Sequence, residues 1–300
     1  MHGISVIVPA YNEERGIAPV LGEIASAGRA FDNCEIIVVD DGSTDRTGEI
    51  AEAAGARVLR HASNRGYGAS LKTGIRAARF DTIVITDADG TYPSSAIPGL
   101  VGALERCDMA VGARTGSRVS IPLARRPGKW ILKALTQYVT GVAVPDFNSG
   151  LRAFGRRVFL QYQHLLPDKF SFTTTITVAC LCDGLAVEFM PIDYMQRVGR
   201  SKMKARNFFT FIGLVLRLSI LFRPLKIFMP LAAACSAVGL AKLGLDLAVA
   251  LSESRSFLHT EVVSTTAVVL LLAGLQIALV GLLAEAIANR SPGPHWNSGK

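Results

Sequence analysis

The sequence has 300 residues, of which 50% are hydrophobic and 19% are charged, and its formal net charge is +8. This length fits one α/β domain of ordinary size together with a smaller part. The positive charge favours anionic partners such as phosphates and acidic lipid headgroups. Because the basic residues form no uninterrupted stripe, we expect no nucleic-acid partner. The five cysteines show no paired metal-ligand spacing, which disfavours a zinc site.

Short β-branched runs alternate with longer amphipathic stretches in the first third of the chain. The predicted strands are 4–8, 35–39, 57–59 and 82–86, and the predicted helices are 14–27, 47–54, 69–79 and 93–104. The first run is too short to be a signal peptide, and Pro9 closes it. Alternation of strand and helix predicts an α/β fold with a mostly parallel sheet covered on both faces.

The middle of the chain has a less regular pattern. Strands are predicted at 109–112 and 187–192, and helices at 130–140 and 172–182. The basic stretch 196–206 contains a glycine and is predicted to be a mobile loop.

The end of the chain is strongly apolar. Residues 207–222 suit a helix in the membrane interface. Residues 228–251 and 262–287 are long enough to span a membrane, which takes about 20 residues. We therefore expect a catalytic domain at 1–206, an interfacial helix at 207–226, and a two-helix hairpin with a short tail at 227–300.

Positive charges flank one side of this hairpin, whereas the connection between its helices contains one arginine. The flanking residues are Arg217, Arg223, Lys226 and Arg290. The positive-inside rule then predicts that the catalytic domain and both termini are cytoplasmic. Lys242 and Asp246 interrupt the first span. They indicate a functional intramembrane site, an intrahelical ion pair, or a helix that ends early, and the sequence does not decide between these.

Polar clusters follow three of the predicted strands: Tyr11-Asn12-Glu13, Asp40-Asp41-Gly42 and Asp87-Ala88-Asp89. Parallel sheets bind ligands beyond the carboxyl ends of their strands, so we expect the clusters to converge on one edge. The carboxylates of Asp87 and Asp89 suit one hard cation, Mg²⁺ or Mn²⁺. Each cluster alone is also compatible with ordinary turn or capping chemistry.

Several motifs resemble family 2 glycosyltransferases, which have the nucleotide-sugar-binding GT-A fold. They are Val8-Pro9-Ala10-Tyr11-Asn12-Glu13, Asp40-Asp41-Gly42-Ser43, Asp87-Ala88-Asp89 and Val111-Gly112-Ala113-Arg114. Two further segments are similar to the polyprenyl-phosphate branch, which includes dolichol-phosphate mannose synthase and bacterial undecaprenyl-phosphate glucosyltransferases. These segments run from Asp146 to Phe154 and from Arg197 to Lys202.

The resemblance implies a role for each matching residue. The base and ribose would be held by Pro9, Tyr11, Glu13, Val39 and Asp41. Asp87 and Asp89 would hold the metal and, through it, the donor diphosphate, and Ala88 would contribute to nucleotide-sugar binding. Arg114 would bind an anionic phosphate, and Arg197 and Lys202 would close over the diphosphate. The family pattern therefore makes Asp89, Arg114 and Asp146 the catalytic candidates. Thr91 stands where mannose synthases often have glutamine, and the segment from Arg197 to Lys202 is one residue shorter than in the family. The resemblance therefore does not fix the identity of the sugar.

The implied reaction moves a hexose from a GDP- or UDP-sugar to a polyprenyl phosphate at the cytoplasmic membrane face, with inversion at the anomeric carbon. A lipid phosphate is already anionic near pH 7 and needs no general base. A lipid hydroxyl acceptor would need one, and Asp146 is the candidate. Asp146 equally suits a role in orienting a neighbouring arginine. A non-catalytic membrane scaffold is a third reading, which the intact acidic residues disfavour. A homo-oligomer is compatible with the sequence, which does not fix the oligomeric state.

Overall fold

A computed structural model describes residues 3–115, 134, 136–138, 140–169, 171–195, 207–252 and 263–290. The chain divides into two compact units, Met1–Val215 and Leu216–Lys300. The first is an α/β unit, and long apolar helices make up the second.

Among the described residues, the first unit contains one seven-stranded sheet in the order β3-β2-β1-β4-β6-β5-β7. The strands are β1 (Ile4–Ala10), β2 (Cys34–Asp40), β3 (Arg57–Arg60), β4 (Thr82–Ile85), β5 (Met109–Ala113), β6 (Arg152–Gly155) and β7 (Val187–Pro191). The helices are α1 (Ile17–Gly28), α2 (Thr47–Ala53), α3 (Tyr67–Ala77), α4 (Ile97–Ala103), α5 (Arg156–Tyr162) and α6 (Phe172–Cys182). A short 3₁₀ turn, Ser94–Ala96, precedes α4.

The sheet is mostly parallel. Strand β1 pairs in parallel with β2 and β4, β2 with β3, and β5 with β7, whereas β6 is antiparallel to β4 and β5. Ile4 lies opposite both Cys34 and Thr82, so β1, β2 and β4 end at the same edge of the sheet. The β-branched side chains of Val6, Val8 and Val38 are fully buried in the core. The predicted α/β fold is confirmed.

Strand β6 and helix α5 were missing from the predicted elements. Strand β6 begins with Arg152, which is 0% exposed, and ends with Gly155. A charged residue and a glycine in a four-residue strand remove the alternation of apolar and polar residues by which strands are recognised. The prediction of helix α1 from residue 14 was also wrong. The carbonyl of Glu13 accepts the N–H groups of Gly16 and Ile17, so a turn precedes the helix.

Two other predicted segments fall partly or wholly outside the described residues. Of the predicted helix at 130–140, residues 134, 136–138 and 140 are described, and they are helical. The predicted loop at 196–206, with Arg197 and Lys202, lies entirely outside the described residues.

Helix α7 (Asn207–Phe222) crosses the boundary between the units, and α8 (Leu225–Ser252) and α9 (Thr265–Arg290) follow it. Helices α8 and α9 are long and apolar enough to cross a membrane, as predicted, and most of their surface is exposed. They pack against each other through glycines. A Cβ added at Gly274 would lie 2.3 Å from the hydroxyl of Ser236 on α8, so the helices approach closely there.

Two charged residues within α8, Lys242 and Asp246, form the intrahelical ion pair that was one of the predicted alternatives. Lys242 Nζ contacts Asp246 Oδ1. The other oxygen of Asp246 accepts the hydroxyl and the backbone N–H of Ser264, at 2.6 and 3.0 Å. Asp246 therefore links α8 to the residue that precedes α9 and satisfies a donor at the start of that helix.

Candidate active site

The loops that follow β1 and β2 are bonded to each other at the carboxyl edge of the sheet. Asn12 donates its backbone N–H to Ser43 Oγ at 3.0 Å and accepts the N–H of Thr44 on its side-chain oxygen at 2.8 Å. Glu13 donates its N–H to Thr47 Oγ1 at 2.8 Å. Asn12 has a φ of +55°, which asparagine tolerates better than most residues. The two loops therefore form one continuous polar rim.

The residues predicted to contact base and ribose lie in this rim or in the strand ends that precede it. Pro9 and Val39 are neighbours in the register of β1 and β2. Val39 is 0% exposed, so any ligand contact would come from its backbone. Tyr11 and Glu13 are half-buried at the end of β1. Asp41 donates its N–H across to the last carbonyl of β1 at 2.9 Å, which holds the ends of both strands in register.

The carboxylate of Asp41 is held by several donors. It accepts the backbone N–H groups of Arg65 and Gly66, at 2.9 and 2.8 Å, and its Oδ1 lies 2.6 Å from His61 Nδ1. The other ring nitrogen of His61 lies 2.9 Å from Thr73 Oγ1. Burial alone would raise the pKa of Asp41, but these hydrogen bonds outweigh it and hold the pKa below its usual value. Asp41 is thus a fixed anion at neutral pH.

The acidic turn after β4 contains Asp87, Ala88 and Asp89. Asp89 is 8% exposed, and its Oδ1 accepts the hydroxyl and N–H of Thr91 at 2.6 and 3.2 Å. Thr91, at which the chain departs from the mannose synthase pattern, therefore orients this carboxylate. The side chain of Ala88 is buried in the hydrophobic core, so its contribution to binding would come from the backbone.

Asp87 is held between a tyrosine and a glycine. Tyr67, the first residue of α3, donates its hydroxyl to Asp87 Oδ1 at 3.0 Å. A Cβ added at Gly150 would lie 2.7 Å from Asp87 Oδ2, so a larger residue there would displace the carboxylate. Burial, followed by the charge of Asp87, raises the pKa of Tyr67 well above its usual value. The tyrosine is therefore a hydrogen-bond donor throughout the physiological pH range.

Aromatic contacts connect this acidic turn with the predicted phosphate-binding arginine. Gly150 donates its N–H to the hydroxyl of Tyr92 at 2.7 Å. The ring of Tyr92 meets that of Tyr194 edge to face, with centroids 5.4 Å apart. The guanidinium of Arg114 lies over the ring of Tyr194, 5.1 Å from its centroid. The structure thus brings Asp87 and Arg114 into one site.

Arg114 and Asp146 form a bidentate ion pair. Arg114 Nε and Nη2 donate to the two oxygens of Asp146 at 2.6 and 2.8 Å, and the backbone N–H groups of Arg114 and Asn148 donate to the same carboxylate at 3.1 Å each. Burial opposes both charges, but the pair outweighs it, so the pKa of Asp146 is lowered and that of Arg114 is raised. A carboxylate held in this way orients the arginine and is a weak proton acceptor.

Arg152 supports the turn that contains Gly150. It is 0% exposed, and its Nη1 donates to the carbonyl of Thr173 and the hydroxyl of Thr177 at 2.9 Å each, while Nη2 donates to the carbonyl of Ser149. Burial lowers the pKa of Arg152. The segment from Asp146 to Phe154, which contains Arg152, was recognised in the sequence. The position of Arg152 beneath the site was not predicted.

The acidic pair Asp87 and Asp89 fits a divalent cation that shares its coordination with a substrate. Within the described residues, no group of three or more His, Cys, Asp or Glu side chains is placed to hold a metal ion. Magnesium is commonly bound by one or two carboxylates together with substrate phosphates and water. The donor set therefore fits a cation completed by a diphosphate better than one enclosed by protein ligands alone.

Comparison with known proteins identifies the family. The model for glycosyl transferase family 2 matches residues 5–162, from β1 through α5. The chain belongs to this family. It is therefore an enzyme that transfers sugars. A second model, the GtrB C-terminal hairpin, matches residues 223–289, which cover α8 and nearly all of α9.

Named relatives and a solved structure extend this comparison. The dolichyl-phosphate hexose transferase of Haloferax volcanii is 29% identical over 67% of this chain and 86% of its own. The undecaprenyl-phosphate 4-deoxy-4-formamido-L-arabinose transferase of Pseudomonas fluorescens is 34% identical over 53% of this chain and 48% of its own, so the chain spans about half of that relative. Glucosyl-3-phosphoglycerate synthase from Mycobacterium tuberculosis, solved with Mn²⁺, UDP-glucose and phosphoglyceric acid, has a TM-score of 0.57 at 26% identity and covers 72% of this chain and 79% of its own.

Proposed function

We propose that this glycosyltransferase moves a hexose from a GDP- or UDP-sugar to the phosphate of a polyprenyl phosphate. The observation that carries the proposal is the placement of a polar rim, an acidic pair and a paired arginine along one edge of the sheet. Relatives whose names specify dolichyl or undecaprenyl phosphate support the acceptor. The Mn²⁺ and UDP-glucose bound by a structural neighbour support the donor and the cation.

On the donor side, Tyr11, Glu13 and Asp41 would bind the base and ribose, and Asp87 and Asp89 would hold Mg²⁺ or Mn²⁺. When bound, such a cation would offset the negative charge that builds up on the leaving diphosphate. Arg197 and Lys202, which lie outside the described residues, are proposed to close over the diphosphate.

On the acceptor side, Arg114 would bind the lipid phosphate in an orientation fixed by Asp146. An oxygen of that phosphate attacks the anomeric carbon, and the bond from this carbon to the β-phosphate oxygen breaks. The nucleoside diphosphate leaves with the bonding electron pair, and the configuration inverts. A phosphate monoester has a second pKa of about 6, so the acceptor is anionic without a general base. This suits a site in which Asp146 is held by Arg114 and is therefore a weak base.

The hairpin of α8 and α9 would hold the enzyme in the membrane, where a polyprenyl lipid is found. The basic residues that flank the hairpin support cytoplasmic termini and a cytoplasmic catalytic domain. In this arrangement a nucleotide sugar from the cytoplasm and a phosphate at the membrane surface would both reach the site.

The proposal is tested by sugar transfer in liposomes that contain the purified full chain and a polyprenyl phosphate. Each labelled GDP- and UDP-hexose is supplied with Mg²⁺ or Mn²⁺, and then with EDTA. We expect labelled lipid from at least one donor, none with EDTA, and loss of product in Asp87→Asn and Asp89→Asn.

Asp81→Asn is the matched control. Asp81 directly precedes β4, the strand that Asp87 and Asp89 follow, and its side chain is 94% exposed. This variant should keep wild-type activity. Transfer that persists in EDTA and in both acidic-pair variants would contradict the proposed cation site.

A further inference from the structure

We propose that Tyr67 is a positioning residue that holds the Asp87 carboxylate in the orientation a divalent cation needs. The inference rests on the proposed function of Asp87. Tyr67 is the first residue of α3 and stands between two glycines, Gly66 and Gly68. In the structure, the hydroxyl of Tyr67 reaches across 20 residues of sequence to Asp87 Oδ1 at 3.0 Å.

The backbone around Tyr67 is fixed from two directions. Gly66 donates its N–H to Asp41 at 2.8 Å, and Ala69 donates its N–H to the carbonyl of Asp168 at 2.8 Å. Gly68 packs so closely on the chain below it that an added Cβ would lie 2.0 Å from the carbonyl oxygen of Pro167. The start of α3 therefore has little freedom to move, and the tyrosine side chain extends from a rigid base.

Gly66 and Tyr67 connect the two halves of the donor site. One residue bonds Asp41, which is assigned to the base and ribose, and the next bonds Asp87, which is assigned to the cation. The covalent linkage through the ribose limits the distance between the base and the diphosphate of a nucleotide sugar. A dipeptide that contacts both anchoring carboxylates can therefore keep them at the spacing the donor requires.

Asp87 needs such a support because the terminal torsion of an aspartate is broad and roughly two-fold. The hydroxyl of Tyr67 restrains Oδ1, and the carboxylate packs against Gly150, where an added Cβ would lie 2.7 Å from Oδ2 and 2.8 Å from Oδ1. Groups that orient metal-binding carboxylates typically change metal affinity by about 10- to 100-fold when they are removed. Removing the hydroxyl alone should therefore weaken cation binding while the aromatic ring keeps its packing.

The test measures Mn²⁺ binding to the full chain in detergent by the electron paramagnetic resonance signal of free Mn²⁺, with UDP or GDP present. Tyr67→Phe should raise the dissociation constant for Mn²⁺ by about 10- to 100-fold. Nucleotide affinity without metal and the thermal midpoint should stay near the wild-type values, because only one hydroxyl is lost.

Tyr162→Phe is the matched control. Its hydroxyl donates to Asp183 at 2.7 Å, so the variant also removes one tyrosine–carboxylate hydrogen bond, but from α5 and outside the site. Its Mn²⁺ affinity should equal that of the wild type. Wild-type Mn²⁺ affinity in Tyr67→Phe, or an equal loss in both variants, would overturn the inference and leave the proposed function intact. If the wild type bound no Mn²⁺ with either nucleotide, the proposed cation site itself would fail.

Discussion

Replacing Asp146 by asparagine separates two roles for this residue, general base and support of Arg114. The change keeps the size of the side chain and removes its charge. One of the two oxygens that now accept from Arg114, at 2.6 and 2.8 Å, becomes an NH₂ group that cannot accept. The guanidinium then keeps at most one of its two bonds to residue 146 and loses the neutralising charge.

The size of the effect follows from the geometry. Breaking a buried ion pair by removing one partner costs about 3–5 kcal/mol. The Arg114 side chain is 25% exposed, so water compensates in part and we expect a stability loss of about 2–3 kcal/mol. If all of this loss appeared in the transition state, transfer would slow by about 30- to 150-fold, at about 1.4 kcal/mol for each tenfold.

The pH dependence gives the sharper distinction. If the acceptor is a lipid phosphate, the acid limb of the pH profile of kcat/KM follows the second pKa of that phosphate, about 6, in both the wild type and Asp146→Asn. If Asp146 were the base, the wild-type limb would follow the pKa of Asp146, which Arg114 holds below the usual value. That limb would then disappear in the variant.

The contribution of the Asp146–Arg114 pair to the stability of the fold should also depend on pH. Because the pKa of Asp146 is lower in the folded protein than in the unfolded chain, its pairing stabilises the fold above the unfolded value of about 3.9 and is lost as the pH falls below it. The difference in thermal midpoint between the wild type and Asp146→Asn should therefore shrink in acid. Loss of the acid limb in the variant, or a rate loss far beyond 150-fold in a folded variant, would refute the supporting role.

Further variants test packing and the cation. A Cβ at Gly74 would lie 2.4 Å from Ile7, so Gly74→Ala should destabilise the first unit by about 1–3 kcal/mol in thermal or denaturant unfolding. The control is Gly22→Ala, which has open space around it and should be neutral or slightly stabilising. Gly274→Ala should lower the thermal stability of the hairpin, because its Cβ would lie 2.3 Å from a hydroxyl on α8; Gly244→Ala, which meets no neighbour within 4 Å, is its control. Added EDTA should stop transfer, and an excess of Mn²⁺ should restore it.

The fold could be predicted from the sequence wherever local pattern and burial agree. Strands β1, β2 and β4 are β-branched runs in which most residues are buried, so their position follows from composition alone. Strand β6 could not be predicted in this way, because it is short and opens with Arg152. That residue is stabilised by carbonyl and hydroxyl groups that only the folded chain brings to it.

The site was predictable where chemistry is encoded in neighbouring residues. Asp87 and Asp89 follow one strand and share one turn, so their pairing is visible in the sequence. Tyr67 and His61 are each 20 residues from the carboxylate they contact, and no local pattern connects them. The role of Asp146 was left open between a general base and the support of a neighbouring arginine, and its contact with Arg114, 32 residues away, is visible in the fold alone.

The nature of the acceptor tests the central claim most directly. Liposomes with the wild-type chain, its donor and Mn²⁺ should receive either a polyprenyl phosphate or the polyprenol of the same length. We expect labelled lipid with the phosphate alone, and mild acid should release its sugar, as expected of a glycosyl phosphodiester. Label on the polyprenol or on another lipid hydroxyl, in a product that resists mild acid, would contradict transfer to a lipid phosphate.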